Sequence, residues 1–213
     1  KINFIFILLL NLIFSQNTYA DLVKYPTFDI TNYPSEVHGG IQATWGITQS
    51  KNGKLYFSNT FGILIFDGVS WKNLQTLGNK AARSIAIDKN DNIIVGTKGD
   101  MGVVTSDKLN NVVYQSIISK NDSNLLEPNT VYEIHPLGDN KYLYRTASEL
   151  FIFSNGIMKK IKNPKKLRFG VSHFINGKIY IYVKNQGLFT LSNGKLLKVL
   201  GTENFKTKKQ TIY

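Results

Sequence analysis

The chain contains no cysteine, which removes disulfides, thiolate metal sites, iron–sulfur clusters and cysteine nucleophiles together. Histidine is almost as scarce: His38, His135 and His173 lie far apart without ligand-like spacing, so no metal site and no cofactor are expected. No GxSxG, HExxH or paired-carboxylate motif occurs, so no catalytic residues are assigned and the segment reads as non-enzymatic. The stretch Gly96-Thr97-Lys98-Gly99-Asp100-Met101-Gly102 has neither phosphate-loop spacing nor a following helix pattern, and reads as a turn between strands. After Ala20 no apolar spacing of 3.6 residues is sustained, which argues against a helical bundle.

Acids are few as well, 14 against 26 basic residues, for a net charge of +12. That excess is lysine: arginine appears only as Arg83, Arg145 and Arg168, beside 23 lysines and 22 asparagines. Such a Lys/Asn-rich composition is what an AT-biased genome produces, so the charge is weak support for nucleic-acid binding, and none is expected. What is present is ordinary for a globular protein: 42% apolar residues over 213 positions, which excludes a disordered or collagen-like chain.

Residues 1–14, KINFIFILLLNLIF, carry one positive charge followed by an apolar run. The run is too short for a bilayer core of about 30 Å but suits a signal-peptide hydrophobic region. Thr18-Tyr19-Ala20 places a small residue at the last position, so residues 1–20 are expected to be an export signal cleaved after Ala20, with Ser15 or Gln16 as alternatives. The competing reading is an uncleaved anchor. Lacking an initiating Met, the sequence reads as a fragment or as processed at its start.

Beyond a lead-in at 21–40, a unit recurs. It runs IQATWGITQ, Lys51-Asn52-Gly53, KLYFSNT, GILIFDG and VSWKNLQ, and similar series begin at Ala82, Thr130 and Phe169. Corresponding turn residues Gly53, Asn92, Asn140 and Gly177 are spaced by 39, 48 and 37 residues, the longest interval holding the polar loop at 119–129. Asn and Gly recur there because two-residue hairpins need positive φ. Four short strands per unit at a period near 40 predict an all-β chain: a β-propeller fragment of about four blades (41–78, 79–128, 129–167 and 168–205). Residues 206–213 would begin a further blade of a larger propeller, one of seven blades or more. The alternative is a sandwich or barrel of unrelated hairpins. On the blade reading, Trp45, Trp71 and the Tyr-rich stretch 179–183 pack between blades, and Lys159, Lys160, Lys162, Lys165 and Lys166 lie on a solvated outer strand and its loop.

Unit one carries Asn32-Tyr33, Gly39-Gly40, Gln42, Trp45-Gly46-Ile47, Asn52-Gly53-Lys54-Leu55-Tyr56-Phe57-Ser58-Asn59, Gly62, Phe66-Asp67-Gly68 and Trp71. Unit two continues with Arg83-Ser84-Ile85, Ile94-Val95-Gly96 and Gly99-Asp100-Met101-Gly102. In these residues the chain resembles the opening blades of two-component-regulator propellers, the exported sensor regions of bacterial signalling proteins. Unit three departs, with Ser148-Glu149-Leu150 where that pattern has Gly. The resemblance implies a Tyr-rich immunoglobulin-like (triple-tyrosine) domain, a membrane helix and a cytoplasmic output module downstream, in a protein that can dimerise.

All three arginines fall where the register places one rim of the propeller. Arg83 and Arg168 enter inner strands and Arg145 ends a second strand. Arginine among so many lysines suits planar, bidentate contact with a carboxylate or phosphate. The expected binding set is therefore Arg83, Arg145 and Arg168 with Lys98, Lys184, Asn59 and Gln42 around a small or polymeric, anionic ligand. The alternative pairs each arginine with a local acid such as Asp100, Glu133 or Glu149. At the level of function the expectation is a periplasmic or extracellular ligand-sensing module. The competing readings are an adhesion propeller without output and a fragment of a propeller enzyme such as a lyase or glycosidase.

Overall fold

The computed structural model describes residues 29–41, 43–119, 126–127, 129–138, 140–163 and 165–202. The expected export signal, Gln42, part of the 119–129 loop and the expected start of a further blade lie outside the described residues. The chain divides into two units, 1–32 and 33–213, and the second holds every described helix and strand.

A four-residue helix, α1 (Ser35–His38), opens the second unit and was not foreseen in the sequence. Sixteen strands follow in four antiparallel sheets, each a meander in chain order. The first sheet holds β1 (Thr44–Gln49), β2 (Leu55–Asn59), β3 (Gly62–Phe66) and β4 (Trp71–Leu74). The second holds β5 (Ser84–Ile87), β6 (Ile93–Gly96), β7 (Met101–Ser106) and β8 (Val112–Ser116). The third holds β9 (Glu133–Gly138), β10 (Lys141–Arg145), β11 (Leu150–Ser154) and β12 (Ile157–Lys160). The fourth holds β13 (Phe169–Ile175), β14 (Lys178–Val183), β15 (Gly187–Ser192) and β16 (Lys195–Lys198).

The first strands of successive sheets are neighbours, β1 to β5, β5 to β9 and β9 to β13, so the sheets are wedges around a common centre. These are four blades of a β-propeller, not the two facing layers of a sandwich.

Burial explains why the strands are apolar without interruption. Ile93 and Val95 of β6 join the core between blades one and two, while Ile94 between them joins the core between blades two and three. In β10, Tyr142 and Tyr144 face blade two and Leu143 faces blade four. A strand with both faces covered has no side to leave polar, and each such side chain contributes on the order of 1.5–3 kcal/mol of burial. By contrast β14 alternates: Ile179, Ile181 and Val183 are buried toward blade three, whereas Tyr180 and Tyr182 point the other way, half-buried. The tyrosines of this strand therefore take no part in the seam that its aliphatic residues form.

The hairpins use left-handed residues where Asn and Gly recur, as at Asn155-Gly156, Asn176-Gly177 and Asn193-Gly194. Glycine is required at the start of β3 and β15 for a second reason. Gly62 and Gly187 have φ of 115° and 100°, and a Cβ on them would lie 2.4 Å from the Leu74 carbonyl oxygen and 2.7 Å from that of Thr202. Blade three manages without glycine. Thr146 closes its turn by donating N–H (2.9 Å) and hydroxyl (3.2 Å) to the Glu149 carbonyl, while its Oγ1 accepts from Glu149 N at 2.9 Å. Thr97 bonds the Asp100 carbonyl in the same way in blade two, and this is the turn expected of the Gly96–Gly102 stretch.

Trp71 departs from its expected place between blades. It packs with Phe57 and Phe66 of its own sheet and with Tyr33 and His38 of the lead-in, stacked on Phe66 at 4.6 Å between ring centroids.

Candidate functional site

Three blades present a side chain at the same register position, where the inner strand meets the end of the second strand. Arg83 N donates to Gly96 O and Tyr132 N to Arg145 O, both at 2.8 Å, whereas Arg168, which precedes the Phe169–Val183 pair, accepts from Lys184 N at 3.0 Å. In blade one the matching residue is Trp45, set by a bulge between Thr44 and Gly46 that re-aims the side chain. In blade four that position is Gly170, next after Phe169 as Arg83 is after Ala82 and Tyr132 after Val131, so the row of side chains around the centre reads Trp45, Arg83, Tyr132.

These side chains meet. The Arg83 guanidinium carbon lies 3.8 Å from the centre of the Trp45 ring and 5.5 Å from that of Tyr132, and that of Arg145 lies 5.8 Å from the Tyr132 ring. Trp45 and Tyr132 remain 39% and 40% exposed, enough for a ligand to reach both. Stacking covers a face of the guanidinium but leaves its in-plane N–H donors at the edge. Among the described residues no carboxylate lies within ion-pair distance of Arg83.

Arg145 has a different role. It is buried, and its Nε donates to Glu133 Oε2 at 2.7 Å, the local pairing weighed against ligand binding. The same carboxylate oxygen accepts from Ser172 N at 2.7 Å and from Ser172 Oγ, clasping blade three to blade four. His135 Nε2 lies 2.7 Å from Ser172 Oγ. Burial pushes the Glu133 carboxyl up, but hydrogen bonds from His135 and Arg145, the Arg145 charge and Ser172 outweigh it and hold the group at about 2. Serine, histidine and a carboxylate are together here without forming a hydrolytic triad. Glu133 contacts the serine directly, on the Nε2 side of the imidazole, and Ser172 is 3% exposed.

The other expected residues are placed as follows. Arg168, Lys98 and Lys184 are exposed. Asn59 is fully buried, which corrects its assignment as a ligand neighbour: Nδ2 donates to Ile41 O (2.7 Å) and Thr44 Oγ1 (3.2 Å), and Oδ1 accepts from Phe61 N (3.1 Å). Its amide ties the chain ahead of β1 to the end of β2 and has nothing left to offer a ligand. Tyr132 was missed as a site residue, and Trp45 was expected to be packing. The signal that would have found both is the alignment of Trp45-Gly46-Ile47 with Arg83-Ser84-Ile85 and Tyr132-Glu133-Ile134, which puts the three at one position of units one to three.

No protein-family model matches the sequence. No curated protein matches it either. Solved structures resemble its fold. The extracellular domain described as that of a one component system, BT4673 from B. thetaiotaomicron, is 14% identical with a TM-score of 0.60, over 85% of this chain and 24% of that one. A catalytically inactive virginiamycin B lyase from Staphylococcus aureus, with quinupristin, is 12% identical with a TM-score of 0.56, over 86% of this chain and 62% of that one. The WD40 propeller domain of Doa1 is 12% identical with a TM-score of 0.53, over 76% of this chain and 55% of that one. The chain therefore spans less than two thirds of the length of each. At these identities the likeness establishes the propeller fold alone. Among the described residues no helix is long and apolar enough to cross a membrane.

Proposed function

We propose that this propeller is the non-catalytic, extracytoplasmic ligand-sensing region of a bacterial signal-transduction regulator, exported by its N-terminal segment and coupled through a membrane helix to a cytoplasmic output module. The observation that carries the reading is Arg83. A guanidinium held between two half-exposed aromatic rings, with no acid in reach among the described residues, is pre-organised for an anionic partner. Trp45 and Tyr132 supply flat apolar faces beside it, so the fitting ligand carries a carboxylate or phosphate next to a ring or other apolar surface. Arg168, Lys98 and Lys184 add positive charge on the same rim. The extracellular one component system neighbour supports this placement; the lyase neighbour shares the fold, and no group of three or more metal-binding side chains occurs among the described residues.

The test is a thermal-shift screen of carboxylated and phosphorylated sugars and small organic acids against the wild-type chain and Arg83→Ala. The reading expects at least one compound to raise Tm in the wild type and to lose that effect in the variant. Stabilising compounds that act equally on Arg83→Ala, or turnover of any of them, would overturn it.

A further inference from the structure

A second feature lies away from the rim, on the seam between blades three and four. A cavity of about 470 Å³ opens between β12 with its following segment and the β15–β16 hairpin. Its floor is apolar, made by Ile161, Leu167, Phe189 and Leu196, the first three of them buried. Its walls are lysine: Lys159, Lys160, Lys162 and Lys165 on the blade-three side and Lys195 on the blade-four side. Among the described residues one acid is within ion-pair distance of these five, Glu149, whose Oε1 lies 3.0 Å from Lys160 Nζ. An adjoining cavity of about 440 Å³ shares Lys159, Ile161, Asn193 and Gly194, and adds Lys141 to the rim.

The arrangement is more than a basic surface. With Lys160 paired to Glu149, four like charges gathered round one opening repel one another, and an anion placed among them relieves that repulsion. An apolar floor of this size, in the range of about 300–1,000 Å³ typical of small-molecule sites, favours a ligand with a hydrophobic body. The lysine run at 159–166, expected to be a solvated strand and loop, is exposed, and its Lys159, Lys160, Lys162 and Lys165 form one wall of a groove whose other wall comes from the next blade.

We infer that this seam binds a small organic anion with an apolar body, the carboxylate, sulfonate or phosphate sitting among the lysines and the body on the Ile161–Phe189 floor. The site is independent of the arginine rim.

The test uses the whole chain with 2-naphthoate as probe, followed by calorimetry. 2-Naphthamide, which has the body without the charge, and acetate, which has the charge without the body, should each bind at least tenfold more weakly. Lys162→Glu/Lys195→Glu should weaken naphthoate at least tenfold, and Lys195→Gln alone about threefold. Lys72→Glu/Lys108→Glu, the same charge change placed on blades one and two, should leave binding within twofold, and so should Arg83→Ala. Equal loss in the Lys72/Lys108 control, equal binding of the naphthamide, or loss in Arg83→Ala would overturn the assignment. So would lysine-dependent binding to phosphatidylglycerol vesicles with no saturable binding of naphthoate, an outcome that points to a membrane surface instead.

Discussion

Across the seam between blades two and three, the phenol of Tyr142 donates a 2.7 Å hydrogen bond to Asp88. Asp88 closes the turn before β6, accepting from Asn90 N and Asn92 N at 2.9 Å and from Asn92 Nδ2 at 2.8 Å. Burial raises its carboxyl, while these bonds together bring it below its ordinary value. Tyr142→Phe removes one of four donors and keeps the ring, so it should cost about 1–2 kcal/mol in urea unfolding. Tyr142→Ala, which also empties a buried site, should cost about 3–5 kcal/mol. Equal losses would show that the hydroxyl, and not the ring, carries the contact.

Glu133 contributes to the acid limb of stability, beside the lowered carboxyls of Asp67, Asp88 and Asp107. Its carboxyl is at about 2 in the fold against 4.5 when free, so the unfolded chain binds more protons between those values. The contribution, on the order of 3 kcal/mol, is fully present above pH 4.5 and disappears as pH falls toward 2. Glu133→Gln should lower stability at pH 6 and flatten its dependence between pH 4.5 and 2, measured by urea midpoints.

Gly62 and Gly68 separate space from backbone. Both have positive φ, but a Cβ at Gly62 strikes the Leu74 carbonyl whereas one at Gly68 meets nothing within 4 Å. Gly68→Ala should cost about 1–2 kcal/mol from conformation alone, and Gly62→Ala clearly more, at least about 3 kcal/mol. Thermal unfolding of the two variants side by side gives the difference.

Trp45 reports on Arg83. The chain has two tryptophans, so in Trp71→Phe all indole emission comes from Trp45. Adding Arg83→Ala exposes the indole face, which should shift emission to longer wavelength at a stability cost of about 0.5–1 kcal/mol. An unchanged spectrum would mean that the stack is not populated in solution.

The hairpin grammar was readable because it is local. Asn176-Gly177 needs only its own two residues to specify a left-handed turn, and GILIF only its own apolar run to specify a strand covered on both sides, whereas KIYIYV, which reads the same way, leaves Tyr180 and Tyr182 half-buried. The rim and the seam were harder for a common reason. Trp45 comes into line with Arg83 and Tyr132 at the Thr44–Gly46 bulge, and blade four has an irregularity at the matching place, between Phe169 and Ser172. Asn59 looked like a loop polar group beside the rim, yet its partners Ile41 and Thr44 lie 15–18 positions back along the chain. Lys195 and Lys159 are 36 positions apart and face one another across two blades. Thr146 closes its turn by hydroxyl chemistry where other units have a glycine, which a search for Gly overlooks.

Leu143 and its flanking tyrosines have one further consequence. Because adjacent residues of β10 plug opposite sides of blade three, the two cores that flank this blade are pinned by a single strand. A substitution that displaces the β10 backbone therefore disturbs the packing of both junctions together.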